Sequence, residues 1–468
     1  MFIYNTLSRR KEELRPQTPG KVGIYACGPT VYNYIHIGNA RPVVVFDTLR
    51  RYLIWRGHEV KFVQNFTDID DKMINRANEE GGTVRDLAER FIAAYEQDTR
   101  DLNVLEESTI HPRATEHIPE IISLIEALID KDLAYLSDDG VYYNTKAFAG
   151  YGKLSGQNID DLESGARVEI DESKRSPMDF ALWKNKKPGE PFWPSPFGEG
   201  RPGWHIECSA MSMKYLGESF DIHCGGQDLI FPHHENELAQ SEGATGKPFA
   251  RFWMHNGFIN INNEKMSKSK GNFFTLREIG EQYDLEAVRF FMLSSHYRSP
   301  INFSEEQMEQ AKSALRRLYE AQGNYAFLLE RGGAKEREPN QGEQAFLSEL
   351  QSIKARFIEF MDDDLNTAGA LGAMFDLVSS GNRIASEGVS AKALRAALDL
   401  LTELSSVLGL LYRAKGGAED EGVDALVAQR EAARKAKNWA EADRLRDEIK
   451  ALGYILEDTQ QGAKVKKQ

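Results

Sequence analysis

The stretch from Lys21 to Thr67 constrains this chain more than any other. Lys21 to Cys27 is a short apolar run, β-branched at its start, of the kind that forms a strand covered on both faces. Asn39 to Arg56 then carries apolar residues at helical spacing, and Gly57 supplies a C-terminal cap. Val60, Phe62, Gln64 and Phe66 alternate onto one face of a second strand. Strand, helix and strand in this order predict a parallel βαβ unit, whose ligands bind beyond the carboxyl ends of the strands. Cys27 and Thr67 stand at those ends. The fold class expected is therefore α/β, with a doubly wound, Rossmann-like parallel sheet.

At 468 residues the chain exceeds one compact core, and two to four domains are expected. Residues 1–110 and 200–264 are assigned to the doubly wound domain, with Phe220 to Gly226 as a further strand running into a glycine turn. Residues 111–199 are mixed in character, Gly- and Pro-rich from Lys184 to Pro202, and read as an insertion between the two halves of the sheet. Residues 265–303 form a loop-bearing connector. Residues 304–412 switch to helical periodicity and predict an all-α bundle. Ser304 and Gln307 make a capping-box pattern, followed by apolar residues such as Met308, Leu315, Phe346, Leu350, Leu394 and Leu401 at spacings of three and four. Arg413 to Gly422 reads as a linker, and 423–468 as a small charged module.

No run of roughly 20 apolar residues is present and the N-terminus lacks the apolar stretch of a secretory signal, so a cytoplasmic protein with no membrane partner is expected. The net charge of −14 argues against indiscriminate polyanion binding but leaves room for a local basic surface. Three well-separated cysteines, Cys27, Cys208 and Cys224, do not make a disulfide framework and point to metal binding or catalysis.

Two motifs speak to nucleotide chemistry. His36-Ile37-Gly38-Asn39 follows the first strand and opens a helix, and Lys265-Met266-Ser267-Lys268-Ser269 lies far downstream. Singly they read as a turn into a helix and an exposed basic loop. Together, in this order and context, they resemble the signature pair of class I aminoacyl-tRNA synthetases. When a carboxylate attacks the α-phosphate of ATP, charge builds on phosphate oxygens, and donors at a helix N-terminus stabilise it. His36 and Asn39 can supply such donors, and Gly38 lets the nucleotide approach the backbone. Lys265 and Lys268 can close over the leaving pyrophosphate as mobile cations, with magnesium accompanying the triphosphate.

Three segments narrow the resemblance: Cys27-Gly28-Pro29-Thr30, Gly203-Trp204-His205-Ile206-Glu207-Cys208-Ser209 and Phe231-Pro232-His233-His234-Glu235-Asn236-Glu237. All three resemble the cysteinyl-tRNA synthetase family. The resemblance implies one zinc ion per chain held by Cys27, Cys208, His233 and Glu237. It further implies ATP, cysteine and tRNA-Cys as partners, and a substrate thiolate that joins the metal. That would reject serine without an editing domain, since a site built on an obligatory contact discriminates by roughly 10⁴–10⁵. The residues themselves agree in part: His233 and Glu237 are four apart, on one face of a helix, and two thiolates, an imidazole and a carboxylate suit zinc. Singly, the two cysteines read as small buried hydrophobes and His233 with Glu237 as a solvated pair. Cys224 lies outside the implied ligands and is expected to be buried and inert. Trp204, four residues before Cys208, is either a wall of the amino-acid pocket, with Thr67, or a core tryptophan. Thr30, Gly226 and Asp228 complete the ATP contacts that the resemblance implies.

Towards the C-terminus, Asp362-Asp363-Asp364-Leu365-Asn366-Thr367 resembles a helical segment of the family and reads physically as N-capping acids at a turn. The last module resembles the family's anticodon-binding tail. Trp439 would stack on an unpaired base, with Arg434, Asp443 and Arg446 in contact with tRNA. Composition alone allows a short charged hairpin of helices there. Family members often end in a Gly-Thr-x-Trp-Arg-like segment, whereas this chain ends Gly462-Ala463-Lys464-Val465-Lys466-Lys467-Gln468. The reading expected is a cysteine–tRNA ligase, as a monomer. Its rivals are an ATP-dependent cysteine ligase with a small amine acceptor and a catalytically silent binding protein.

Overall fold

Five parallel strands form the central sheet of the computed structural model: β1 (Lys21–Ala26), β2 (Glu59–Gln64), β3 (Thr109–Ile110), β4 (Phe220–Gly226) and β5 (Ala250–Asn256). Their spatial order is β5-β4-β1-β2-β3. The order reverses at β1, so a crevice opens between the carboxyl ends of β1 and β4, where doubly wound sheets bind ligands. In β1 Val22, Ile24, Tyr25 and Ala26 are all buried, as a strand covered on both faces requires. Its partners in register are Phe62 on β2 and Ile222 on β4, each opposite Ile24.

The helix between β1 and β2, α1 (Ile37–Trp55), starts two residues earlier than its apolar period suggests, because His36 caps it. Two further helices matter for the site, α2 (Trp204–Leu216) and α3 (Glu235–Thr245). Each is shared between two cores. Ile206 and Ala210 of α2 and Ala239 of α3 pack into the core of the inserted region, with Ile121, Ile125, Leu128, Tyr143 and Trp183. Cys208 and Met211 of α2 and Leu238 of α3 face the sheet, against Tyr25, Val63, Phe220 and Trp253. The inserted region supplies a four-stranded antiparallel sheet, Ala134–Ser137, Gly140–Tyr143, Phe180–Asn185 and Gly200–Pro202, so the Gly- and Pro-rich stretch is strand at both ends.

The structure describes residues 1–157, 173–265, 272–413, 418–459 and 462–467. Residues 1–308 with 361–367 make one compact unit, and 309–360 with 368–468 the other. Helices span Glu305–Glu330, Gln341–Asp362, Thr367–Ile384 and Ala391–Leu408. The apolar period read in the sequence is their core: Leu315, Leu318, Phe346, Leu350, Ile353, Phe357, Leu394, Leu401 and Leu404 are buried.

Three local readings are corrected. The chain is already helical from Ala418, within the stretch read as a linker, in the helix Ala418–Lys435. The tail is not a pair of helices alone, because Tyr454–Thr459 and Gly462–Lys467 form an antiparallel hairpin whose Tyr454 and Ala463 pack on Val423, Val427 and Ile449. The acids at 362–364 do not act as an N-cap: Asp362 is the last residue of its helix, and Asp364 is buried with φ of 61°. Its carboxylate accepts from the backbone N–H of Tyr4 (2.8 Å), the hydroxyl of Tyr297 (2.8 Å) and the guanidinium of Arg298 (2.8 Å).

Candidate active site and metal centre

Four donors from three elements meet in the crevice. Cys27 follows β1, Cys208 lies on the sheet-facing side of α2, His233 lies in the helical turn Ile230–His234 that leads into α3, and Glu237 in the first turn of α3. Cys27 Sγ is 3.8 Å from Cys208 Sγ and 3.2 Å from Glu237 Oε1, and His233 Nε2 is 3.0 Å from the same oxygen. One donor atom from each lies within 4.8 Å of all the others. Ligand atoms of one tetrahedral zinc ion stand about 3.3–3.8 Å apart, given bond lengths of 2.0–2.3 Å, so the donor set fits such an ion in chemistry and spacing. Cys27 also belongs to a second grouping, with His223, His234 and Glu237.

Polar neighbours orient these donors. His205 and His233 share a hydrogen bond between their Nδ1 atoms (2.8 Å), which leaves His233 Nε2 aimed at Glu237. His223 Nε2 bonds the other oxygen of Glu237 at 2.8 Å. Burial works against the charge on Glu237, yet His223 and His233 hold its carboxyl well below the usual range. Burial also works against a charged His233, but Glu237 and Cys208 raise it to about 10. Burial pushes the Cys27 thiol up, and its bond to Cys208 adds to this. For Cys208, burial is outweighed by the Cys27 hydrogen bond and the His233 ring, and the thiol falls to about 6. Cys224 is buried, as expected, donates to the carbonyl of Tyr25 (3.4 Å), and burial pushes its thiol up.

The crevice is closed by a close backbone approach. A Cβ on Gly28 would lie 1.6 Å from the carbonyl oxygen of Asn65, so only glycine fits. Gly28 N–H donates to Asn65 Oδ1 (2.9 Å), and that oxygen is 3.6 Å from Cys208 Sγ. Thr30 and Thr67 bridge the same two segments, and the hydroxyl of Thr67 donates to Glu207 (3.0 Å). Trp204 is 40% exposed and stacks on His233, with centroids 4.2 Å apart, so it belongs to the rim of the site and not to a core.

At the N-terminus of α1, His36 and Asn39 cap reciprocally: Asn39 N–H donates to His36 Nδ1 (3.3 Å) and His36 N–H to Asn39 Oδ1 (3.4 Å). Gly38 lies in this first turn. The segment downstream of the second motif returns here, with Leu276 N–H donating to Ile35 O (2.9 Å) and Ile37 N–H to Phe274 O (3.3 Å). Lys265 ends the short strand Glu264–Lys265, paired with Asn260, while Lys268 lies outside the described residues. Gly226 ends β4, and Asp228 is exposed in the turn that follows.

In the C-terminal module, Trp439, Asp443 and Arg446 fall at i, i+4 and i+7 of the helix Trp439–Ala451, all exposed. Ala442, Leu445 and Ile449 are buried on its other side. Asp443 pairs with Arg446 at 3.4 Å, and Trp439 is 60% exposed. Arg434 stands near the end of the preceding helix, Ala418–Lys435.

Sequence reasoning passed over Asn65, His205, Glu207, His223 and His234, which surround the donors. Only the His233-His234 doublet carried a signal. His205 and Glu207 lie beside Cys208 on α2, within a segment already singled out, while Asn65 and His223 come from separate elements with no telling spacing.

Comparisons with known proteins bear on the family of the chain. A profile of the class I (C) tRNA synthetase catalytic domain matches residues 13–313, a DALR domain profile 356–412, and a cysteinyl-tRNA ligase anticodon binding domain profile 417–465. A cysteine–tRNA ligase of Caldicellulosiruptor saccharolyticus is 58% identical over 469 residues, covering all of both chains. Among solved structures, a methionyl-tRNA synthetase of Mycobacterium tuberculosis in complex with methionyl-adenylate aligns with a TM-score of 0.61 at 16% identity, over 83% of this chain and 89% of that one. A LeuRS of Agrobacterium radiobacter in a ternary complex with tRNA aligns at 0.60 and 14% identity, over 85% of each. At such low identity these two speak for the fold alone, a class I synthetase fold. No described helix is long and apolar enough to cross a membrane. The chain belongs to the cysteinyl-tRNA ligase family of class I tRNA synthetases.

Proposed function

We infer that this chain is a cysteine–tRNA ligase, which forms cysteinyl-adenylate from cysteine and ATP and passes the aminoacyl group to tRNA-Cys. The observation that carries the reading is the convergence of Cys27, Cys208, His233 and Glu237 at the switch point of the sheet, under Trp204 and within the same unit as the His36–Asn39 helix start. These four residues would hold one zinc ion. When bound, zinc supplies a soft Lewis acid that takes a thiolate in preference to serine's hydroxyl. Trp204 and Thr67 bound the amino-acid pocket and exclude water from it.

ATP would lie across the crevice, with Thr30, Gly38, Gly226 and Asp228 along it, and magnesium would accompany the triphosphate. As the cysteine carboxylate attacks the α-phosphorus and the bond to the bridging oxygen breaks, charge moves onto pyrophosphate. His36 and Asn39 donate to the phosphate oxygens, while Lys265 and Lys268 neutralise the leaving group. The tRNA ribose hydroxyl then attacks the adenylate carbonyl, and AMP departs. Trp439, Arg434, Asp443 and Arg446 read the anticodon. Residues 1–110 and 200–264 form the catalytic domain, 111–199 its insertion, 265–303 the connector, 304–412 the bundle and 423–468 the anticodon module. The protein works as a cytoplasmic monomer.

The small-amine acceptor gains no support from the matches, since the C-terminal profile is that of an anticodon binding domain. The test is incorporation of labelled cysteine into acid-precipitable tRNA, with serine as control. Cysteine-only charging is expected. Cysteine-dependent pyrophosphate exchange without any charging of tRNA would overturn the reading.

A further inference from the structure

One buried cation near the nucleotide motifs has no role in the chemistry above. Arg41, two residues after Asn39, is wholly buried, and no carboxylate pairs with it among the described residues. Its guanidinium donates instead to four backbone carbonyls: Gly257 (2.6 Å), Phe258 (2.9 Å), His296 (3.4 Å) and Ser299 (2.6 Å). Burying an unpaired charge is costly, and packing alone would be served better by an apolar side chain. Burial lowers Arg41 only to about 10, so the cation persists at neutral pH.

The four carbonyls belong to two places. Gly257 and Phe258 are where the chain leaves β5, and His296 to Ser299 are where it comes back. The two meet closely: a Cβ on Gly257 would lie 2.6 Å from Ser299 O and 2.7 Å from Arg298 O. Beyond the clasp, Ile259–Ile261 pairs in parallel with Ile301–Phe303. Lys265 and Lys268 fall between these two places in the sequence. Arg41 therefore joins the first turn of α1 to both ends of the excursion that carries the second nucleotide motif.

We propose that Arg41 is a positioning residue for adenylate formation, holding the His36–Asn39 turn in register with the base of the excursion that bears Lys265 and Lys268. It touches no substrate. Donors at one end of the triphosphate and cations at the other act on the same transition state, and a misplacement of about 1 Å costs on the order of 100-fold in rate. A Lys cannot replace it, because three donors on a flexible stem do not match a planar fork spread over four carbonyls. This inference rests on the ATP-dependent reading of the site.

The test uses the full-length protein with Arg41→Lys and Arg41→Ala, with melting temperature and zinc content recorded for each. In Arg41→Lys, kcat for cysteine-dependent pyrophosphate exchange falls about 100-fold, while KM for cysteine stays within about threefold. In Arg41→Ala, added methylguanidinium restores about tenfold of the lost rate. In both, the amides of Ile37 to Asn39 exchange with deuterium at least about tenfold faster relative to those of the helix Ile118–Ile129. A kcat in Arg41→Lys within about threefold of wild type overturns the proposal, as does a loss that tracks lost zinc or unaltered amide exchange. If Arg41→Ala does not fold, Arg41→Lys carries the test alone. A wild-type protein that exchanges no pyrophosphate with cysteine sinks the ligase reading, and amide exchange then judges the clasp by itself.

Discussion

The indole of Trp204 lies nearly flat on the imidazole of His233, 27° between planes and 4.2 Å between centroids. The stack covers the outer face of one donor of the candidate metal centre. Truncating it in Trp204→Ala is expected to raise KM for cysteine roughly tenfold, the equivalent of about 1.4 kcal/mol. Trp204→Phe should keep most of the affinity. Pyrophosphate exchange across a range of cysteine concentrations checks this, and an unchanged KM in the alanine variant would count against a role for Trp204 at the rim.

Cys208→Ala removes a donor held within 3.8 Å of Cys27, on the packed side of α2. The variant should fold, since alanine fills a small buried site, but retain under about a tenth of the wild-type zinc. Cysteine activation should fall with the metal. Measuring zinc by atomic absorption beside the exchange rate decides the matter, and full activity in metal-free protein would refute the assignment.

Asp47 is buried and accepts from Arg289 (2.7 Å), Arg51 (2.8 Å), Arg50 (3.1 Å) and the N–H of Leu105 (2.9 Å). Burial opposes its charge, but the three guanidiniums hold the carboxyl well below the usual range. Asp47→Asn leaves Arg50 and Arg289 buried without their counter-ion and should destabilise the catalytic unit by about 3–5 kcal/mol. Urea denaturation followed by tryptophan fluorescence would show it.

Glu343 in the helical bundle accepts from both terminal nitrogens of Arg337 (2.8 Å each) and from the N–H of Ser390 and of Asn340. The Arg337 bonds pull its carboxyl from 4.5 to about 2. A carboxyl depressed on folding stabilises fully above its unfolded value, so this contribution is complete above about pH 4.5 and fades as pH falls towards 2. Glu343→Gln should therefore flatten the acid limb of a stability–pH curve. A limb with the same slope in both proteins would exclude Glu343 as a contributor.

Truncation before Ala418 removes the module that carries Trp439, Asp443 and Arg446. Cysteine-dependent pyrophosphate exchange should survive, and tRNA charging should drop at least tenfold, by about 1.4 kcal/mol or more. Parallel losses in both assays would contradict this division of labour.

Much of this molecule was legible in its sequence, for identifiable reasons. β1, α1 and β2 announced themselves because a strand buried on both faces is apolar throughout and a helix packed on a sheet shows its period. β3 did not, being only Thr109 and Ile110, nor did β5, whose Arg251 and His255 interrupt its apolar run. The C-terminal hairpin escaped notice because its lysine-rich second strand reads as a charged tail. At the site, Cys27, Cys208, His233 and Glu237 could be named from motifs. His205, His223 and Asn65 could not, since each meets the donors only through tertiary contact: Asn65 reaches Cys208 through its side-chain Oδ1, while its backbone carbonyl demands glycine at position 28.

Asp364 joins residues near 4, 297 and 364 of the chain, and Asp364 N–H also donates to the carbonyl of Phe2 at 2.9 Å. This sets a timetable for synthesis. The catalytic unit cannot close when Met308 leaves the ribosome, because its last piece, Met361–Thr367, is still unmade. At about 5–20 residues per second, the intervening chain delays completion by roughly 3–12 s. During that interval Tyr297 and Arg298 wait without their carboxylate, and the N-terminal strand Phe2–Asn5 with them. A nascent chain stalled before this segment should remain open to protease at its N-terminus, while one stalled well beyond it should not.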